Sequence, residues 1–311
     1  MHVIARSSRF FGEEFMNKLK RVIRTLTGIL AAALLAALPL TGCGAKAPQT
    51  DPAAEPQADD GTLSAVFFDV GKGDCILISG GGQYLLIDTG YEDTAPYILK
   101  ELGSRGVDKL DAMVITHYDK DHVGGAALIA DRIPITTIYL PDYEGDADKS
   151  GDLMSLISKK GLNAVRVTDD EEFALGQAQV RINDAMVDYD PVEKNDNDAS
   201  LIVEIHNGED EWLLPGDIEK DAIGVWLEEN GETYDIMKLP HHGKKEKNTK
   251  DLIETVDPQI AVVTDSSDEE ANQKVLDRLE KNDVQVYRSS ESGTITITGN
   301  GKEDYQVSSE K

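Results

Sequence analysis

Two imidazoles and two carboxylates stand within six residues at His117-Tyr118-Asp119-Lys120-Asp121-His122, directly before Val123-Gly124-Gly125. The apolar run Ala112-Met113-Val114-Ile115 leads into them. A strand ending in such a loop directs alternating nitrogen and oxygen ligands into one cavity, and that mixture suits two divalent cations held close together. A cation pair suits hydrolysis, because it polarises the bond under attack and lowers the pKa of a bound water. The competing reading makes His117 and His122 ordinary polar residues at a strand end, with Asp119 and Asp121 capping the next helix. Further acids and imidazoles at Leu213-Leu214-Pro215-Gly216-Asp217 and Leu239-Pro240-His241-His242-Gly243 favour the metal reading. Gly124-Gly125 would let backbone pass close beneath the loop.

Short apolar runs must position these residues. Ser64–Val70, Cys75–Ser79 and Tyr84–Asp88 read as strands, with Gly71-Lys72-Gly73-Asp74 and Gly80-Gly81-Gly82 as turns. Thr94–Ser104 carries Ile98, Leu99 and Leu102 at helical spacing. Strand 112–115, a helix after His122, strand 137–140, a helix at 152–160 and strand 164–167 follow. In the second half, strands are expected at 178–182, 200–206 and 211–214, the last two forming a hairpin across Asn207-Gly208. Helix 218–229, strand 235–239, helix 250–255, strand 259–263 and helix 269–282 come next. Strands at 284–287, 294–298 and 305–307 close the chain. Strands and helices mixed in both halves predict an α/β protein of two sheets packed face to face with helices outside.

The ordered motifs Phe68-Asp69-Val70-Gly71-Lys72-Gly73-Asp74, Leu86-Ile87-Asp88-Thr89-Gly90, the His-x-Asp-x-Asp-His loop, Pro215-Gly216-Asp217 and His241-His242-Gly243 resemble the metallo-β-lactamase superfamily. In detail they resemble the hydrolase domain of ComEC-type competence proteins and free-standing relatives of it, over residues 62–305. The resemblance implies an αβ/βα four-layer sandwich of two mixed sheets, with two divalent ions, Zn²⁺ or Mn²⁺, at one edge. It implies that His117 and Asp119 hold one ion, Asp121 and His122 the other, that Asp217 bridges both, and that the His241-His242 pair completes the site. His242 is the expected ligand of that pair, and Asp121, His241 and His242 are the expected catalytic groups. Adjacent residues of an extended chain point opposite ways, so one of the two histidines is expected to be a direct ligand, with its identity open. Asp88 either orients a ligand or caps the Thr89-Gly90 turn. Most superfamily hydrolases have His where Asp119 stands, and Asp is the competence-type variant. The further His of many members, between the loop and Asp217, has no good match, since His206 sits beside the Asn207-Gly208 turn and reads as surface. Asn197 or Asp198 either approaches the ions or serves a turn. Lys244-Lys245 is either a phosphate-attracting spot or a solvated loop.

The beginning of the sequence reads as an address. From Met16 a basic stretch, Met-Asn-Lys-Leu-Lys-Arg-Val-Ile-Arg, precedes the apolar run 26–40 and Thr41-Gly42-Cys43. The Leu40-Thr41-Gly42-Cys43 ending resembles a bacterial lipobox, which implies cleavage before Cys43 and lipid on its sulfur. An uncleaved anchor is the alternative, although the apolar run falls short of the ~20 residues needed to span a bilayer. The expected organisation is a lipoprotein signal at 1–42, with residues 1–15 an upstream extension of the start, a lipid-anchored linker at 43–61 and a hydrolase domain at 62–311. The protein would then be exported and held on the outer face of the cell membrane.

Cys75, inside Cys75-Ile76-Leu77-Ile78, reads as a buried structural thiol, and with Cys43 lipidated no disulfide framework remains. The formal net charge is −27, and about −31 without residues 1–42, which carry six Lys/Arg and two acids. Charge of that sign repels nucleic acid over most of the surface and counts against a high-affinity DNA binder, while leaving room for a phosphodiester at a locally basic site. The competence-type resemblance implies a phosphoester or nucleic-acid-derived substrate, with no obligate protein partner implied. The alternatives are a lactam, lactone or thioester hydrolase on the same scaffold, or a non-catalytic binding module of the envelope.

Overall fold

The computed structural model describes residues 61–311 apart from 146 and 194. Leu63–Phe67 (β1), Ile76–Gly80 (β2) and Gln83–Ile87 (β3) form an antiparallel meander. Helix α1 (Ala95–Ser104) leads to β4 (Leu110–Val114), short helices α2 (Lys120–Val123) and α3 (Ala126–Arg132), and β5 (Ile135–Pro141). Helix α4 (Ala147–Lys160) and β6 (Ala164–Val167) complete this half, with β3 to β6 parallel. Then come β7 (Glu171–Leu175), β8 (Ala178–Asn183), β9 (Ile202–Asn207) and β10 (Asp210–Leu214), all antiparallel. Helix α5 (Lys220–Glu229), β11 (Ile236–Lys238), α6 (Thr249–Val256), β12 (Ile260–Val263), α7 (Gln273–Lys281) and β13 (Gln285–Arg288) make a parallel run with β10. A four-residue helix α8 (Ser289–Ser292) precedes β14 (Ile295–Gly299) and β15 (Tyr305–Ser309).

The strands join in two mixed sheets, β15-β14-β1-β2-β3-β4-β5-β6 and β13-β12-β11-β10-β9-β8-β7. The last two strands thus return to the first sheet beside β1, a crossover that local patterning cannot specify. Period-two alternation sets the layers. In β2 and β4, Ile76, Ile78, Ala112 and Val114 enter the core between the sheets, where they meet Val203, Ile205, Trp212, Leu214 and Val262. The intervening Leu77 and Met113 face outward against Ile98, Leu102 and Ile129 of α1 and α3. On the other sheet Leu213, Met237, Ala261 and Val263 face Ile223, Trp226, Leu252 and Leu279 of α5 to α7. Both faces of each sheet's centre are therefore dry, which is the four-layer αβ/βα sandwich expected, and each buried Ile or Leu side chain adds roughly 1.5–3 kcal/mol of transfer free energy.

Three element readings need correction, the first being α4, which starts at Ala147, five residues before the 152–160 expected. Strand β7 lies at Glu171–Leu175, where acids at 171 and 172 hide the pattern; it is a sheet edge that exposes Glu172 and Ala174. Helix α7 begins at Gln273, four residues later than expected, because the Asn272 side chain accepts from the Lys274 backbone N–H and caps it there. The Asn207-Gly208 hairpin between β9 and β10 forms as expected, with Asn207 opposite Asp210.

Cys75 is fully buried, and burial pushes its thiol well above the usual range. No helix among the described residues is long and apolar enough to cross a membrane. Cys43 and the expected signal and linker lie outside the described residues.

Candidate metal centre

The loops after β3, β4, β10, β11 and β12 meet at one edge, at the carboxyl ends of parallel strands. His117 and His122 come from the loop and short helix after β4, Asp217 from the turn after β10, and His241 and His242 from a turn after β11. His117, His122, Asp217 and His242 are at most 2 % exposed. Gathering them there requires close backbone passage. A Cβ on Gly124 would collide with the Lys120 carbonyl oxygen and stand 2.7 Å from the Glu92 nitrogen, and one on Gly73 would stand 2.7 Å from the Asp121 carbonyl oxygen.

Each imidazole is held by its Nδ1. His122 Nδ1 donates to Asp88 Oδ2 at 2.7 Å. His117 Nδ1 meets Thr116 Oγ1 at 3.0 Å, whose own hydrogen goes to Asp88 Oδ2 at 2.7 Å. His242 Nδ1 meets Thr264 Oγ1 at 3.1 Å, and that hydroxyl donates to Asp74 Oδ1 at 2.6 Å. Because each threonine spends its hydrogen on a carboxylate, its oxygen is left to accept, so the Nδ1 positions carry the protons and the Nε2 positions point into shared space. His122 Nε2 lies 3.4 Å from His242 Nε2 and 3.3 Å from Asp217 Oδ2. His242 Nε2 is 3.0 Å from Asp217 Oδ2 and 3.5 Å from Asp121 Oδ2. Ligand atoms ~2.1 Å from one cation stand roughly 3.0–3.4 Å apart, which is this spacing. Among the described residues, the buried His117 Nε2 has no hydrogen-bond partner. Four groups of potential ligands emerge among the described residues: His117–His122–Asp217 and Asp121–His122–His242 around the shared space, Asp74–Asp88–His122 behind it, and Glu219–His241–Glu246 outside it; the donor types of the first two fit divalent Zn²⁺ or Mn²⁺.

The electrostatics match a site built to take up cations. Burial disfavours charge on His122 and His242, yet the surrounding carboxylates, Asp217 foremost, outweigh it and raise both imidazoles above their ordinary range. Burial would raise Asp217, but His242, Lys238 and His122 hold it well below the carboxylate range. His117, buried and next to His122, is lowered to about 4 and so stays neutral. Protons thus occupy the ligand atoms that cations would claim.

Asp88, at φ 55°, sits wholly on Thr116 and His122; among the described residues it makes no bond to the Thr89-Gly90 turn. Asp119 opens α2 without a side-chain cap bond. Its Oδ2 lies 3.9 Å from His117 Nε2, while Oδ1 is taken by Lys149 Nζ at 2.5 Å. His241 and His242 are not extended as expected. Both occupy the left-handed region, at φ 47° and 53°, and the tight turn rather than strand alternation sends the two rings apart. His242 joins the cluster, and His241 turns to Glu219, with 2.9 Å between Nδ1 and Oε1. Asp198 caps α5 through the backbone N–H groups of Glu219 and Ala222, and Asn197 Nδ2 donates to Glu219 Oε1. Neither belongs to a ligand group. Lys244 Nζ reaches Glu219 Oε1 at 3.3 Å, and Lys245 is exposed. His206, at the end of β9, pairs with Glu211 across the hairpin, away from the site.

Three supports escaped sequence reading. Lys238, fully buried, places Nζ 2.5 Å from Asp74 Oδ2, 2.9 Å from Asp217 Oδ1 and 3.0 Å from the Gly216 carbonyl oxygen. It occupies one Asp217 oxygen and leaves Oδ2 for the cluster. A lysine inside the apolar strand Ile236-Met237-Lys238-Leu239 was the available signal, since lysine is almost never fully buried unpaired. Asp74 was visible as the end of a turn and of the first family-like motif, with no role of its own, and Thr264 carried no signal.

A sandwich of two mixed sheets with His and Asp converging at the strand ends defines a class. Residues 68–263 match the family described as the Metallo-beta-lactamase superfamily, and the chain belongs to it. Its relatives include competence proteins. It is 25% identical over 252 residues to ComE operon protein 3 of Bacillus subtilis (strain 168), covering 73% of this chain and 32% of that protein. It is also 25% identical over 246 residues to competence protein ComA of Neisseria gonorrhoeae, covering 73% and 31%. The chain thus spans about a third of the length of these relatives. Among solved structures, the metallo-β-lactamase fold protein YhfI from Bacillus subtilis aligns with a TM-score of 0.49 at 14% identity, over 73% of this chain and 95% of that one.

Proposed function

We propose that the chain is a binuclear metal-dependent phosphodiesterase that acts outside the cell membrane. The observation that carries this reading is the convergence of three Nε2 atoms, each locked by a bonded Nδ1, on the carboxylates of Asp217 and Asp121. His117, Asp119, Asp121, His122, Asp217 and His242 would hold the cations. Bound there, the cations would supply Lewis acidity toward phosphoryl oxygens and an activated water. The chain's own residues do the remainder. Lys238 keeps Asp217 ionised and aimed, and Asp88 fixes His122. Lys149 and Lys244, paired with Asp119 and Glu219, offset negative charge beside the site in a strongly acidic protein, which lessens the repulsion of an anionic substrate. His241, one layer outside the cluster, is placed to meet the substrate. The kinship with competence proteins supports a nucleic-acid-derived phosphodiester, and the lipobox-like segment ending at Cys43 supports export and lipid anchoring.

The test is metal analysis of the purified protein with turnover of bis-p-nitrophenyl phosphate, single-stranded DNA and phosphocholine esters under Zn²⁺ and Mn²⁺. Asp217→Ala is expected to lose both bound metal and turnover, whereas His206→Gln changes neither. Full activity in Asp217→Ala would refute the assignment.

A further inference from the structure

The turns after β10 and β11 are paired at two levels. At the inner level Asp217 Oδ2 meets His242 Nε2 at 3.0 Å; at the outer level Glu219 Oε1 meets His241 Nδ1 at 2.9 Å. The same two-chain arrangement, Asp-x-Glu against His-His, makes both contacts, and the His241 N–H to the Gly216 carbonyl oxygen, at 3.4 Å, ties the turns together. The inner side chains are 3% and 1% exposed, the outer ones 28% and 9%. The outer pair therefore lies nearer the surface than the cluster.

Two costs mark the outer pair as built. Both histidines sit at positive φ, a strain of roughly 1–2 kcal/mol per residue, and the turn spends that strain on aiming two adjacent rings at different carboxylates. Glu219 is anchored in turn. Its backbone N–H is held by Asp198 Oδ1 at 3.0 Å, and its Oε1 also accepts from Asn197 Nδ2 at 3.1 Å and Lys244 Nζ at 3.3 Å. His241 Nδ1 stands at hydrogen-bond distance but off the N–H axis, a looseness that active sites often tighten when substrate binds. With Asn197 Nδ2 and Lys244 Nζ both donating to its Oε1, Glu219 meets the ring as an acceptor. A carboxylate accepts only, so once the ring aligns with it the proton sits on Nδ1 and Nε2 is left for the substrate.

Resting on the phosphodiesterase reading, we propose that Glu219 is a positioning residue, which holds His241 with Nδ1 toward itself and Nε2 toward a substrate oxygen. His241 touches the substrate; Glu219 acts through it. The arrangement resembles the second and third members of a nucleophilic triad in logic, with the carboxylate setting tautomer and ring angle rather than exchanging a proton.

The experiment has two arms on the purified protein. In the first, ¹⁵N-imidazole spectra of the Zn²⁺-loaded protein are recorded, with the His241 signal identified by its loss in His241→Gln. The Nδ1-protonated tautomer is expected, retained in Glu219→Gln, whose amide oxygen still accepts, and lost in Glu219→Ala. In the second, Mn²⁺-loaded protein is assayed on a thymidine dinucleotide. His241→Gln is expected to lose about 100-fold in kcat. Glu219→Ala should lose at least about tenfold in kcat with KM and metal content unchanged, and Glu219→Gln should recover part of it. The double variant Glu219→Ala, His241→Gln should be no slower than His241→Gln alone, because the two act as a unit. An Nε2-protonated His241 in the unaltered protein, a tautomer unchanged in Glu219→Ala, or multiplicative losses in the double variant would overturn the proposal. A metal-loaded protein with no phosphodiester turnover sinks the enzymatic reading instead, and the spectra still decide the pairing.

Discussion

Lys238→Met isolates the charge that the buried centre depends on. The Lys238 ammonium is fully buried and neutralises two carboxylates, Asp74 at 2.5 Å and Asp217 at 2.9 Å, themselves 1% and 2% exposed as residues. Methionine fills similar volume, so the loss is one of charge and not of packing. Breaking a buried ion pair from one side costs about 3–5 kcal/mol. Here the lower end applies, because Asp74 keeps its bond from Thr264 and Asp217 keeps His122 and His242 within 3.3 Å. Both tryptophans, Trp212 and Trp226, are buried, so their fluorescence reports unfolding in urea. In EDTA the variant should lose about 3 kcal/mol, which for a domain of this size lowers Tm by roughly 6–12 °C. With excess Mn²⁺ much of the difference should vanish, since the more negative site binds cations more tightly and bound ligand stabilises the folded form. Lys245→Met, at an exposed position, should change stability by less than about 0.5 kcal/mol. A loss below about 1 kcal/mol in EDTA, or equal losses with and without cations, would refute the role given to Lys238.

Three further outcomes follow from the geometry. His122 and His242 have raised pKa values in the cation-free site, so each holds a proton that a cation must displace; affinity should rise with pH, by up to about tenfold per unit for each proton released. Calorimetry in buffers of different ionisation enthalpy measures that release, and its absence would count against those protonated states. The two cations should bind unequally, the weaker one on the His117–Asp119 side where Lys149 competes for Asp119, and Lys149→Met should narrow the gap in a Mn²⁺ titration. Gly124→Ala places a methyl group against the Lys120 carbonyl and the Glu92 nitrogen, so it should lower Tm and metal content together, while Gly161→Ala, where a Cβ meets nothing within 4 Å, should leave metal content intact.

Much of this protein was legible before folding. Residue types and local order identified the His-x-Asp-x-Asp-His loop, Asp217 and the His-His pair, because ligands clustered within a few residues leave a visible pattern. Period-two and period-3.6 patterning located most strands and helices, because burial on one face repeats locally. Strand β7 escaped since an edge strand with an acidic start buries too little to show its period.

The tertiary structure decided the rest. Asp74, Lys238 and Thr264 lie 164 and 26 positions apart along the chain, so no window of sequence could join them; only the closing of one sheet on the other sets Lys238 between Asp74 and Asp217. The division of labour between His241 and His242 was equally out of reach. It depends on two left-handed backbone conformations that are strained in isolation and persist because the surrounding turns, held to Gly216 and packed at Gly243 against Ala271 and Val263, over-determine them.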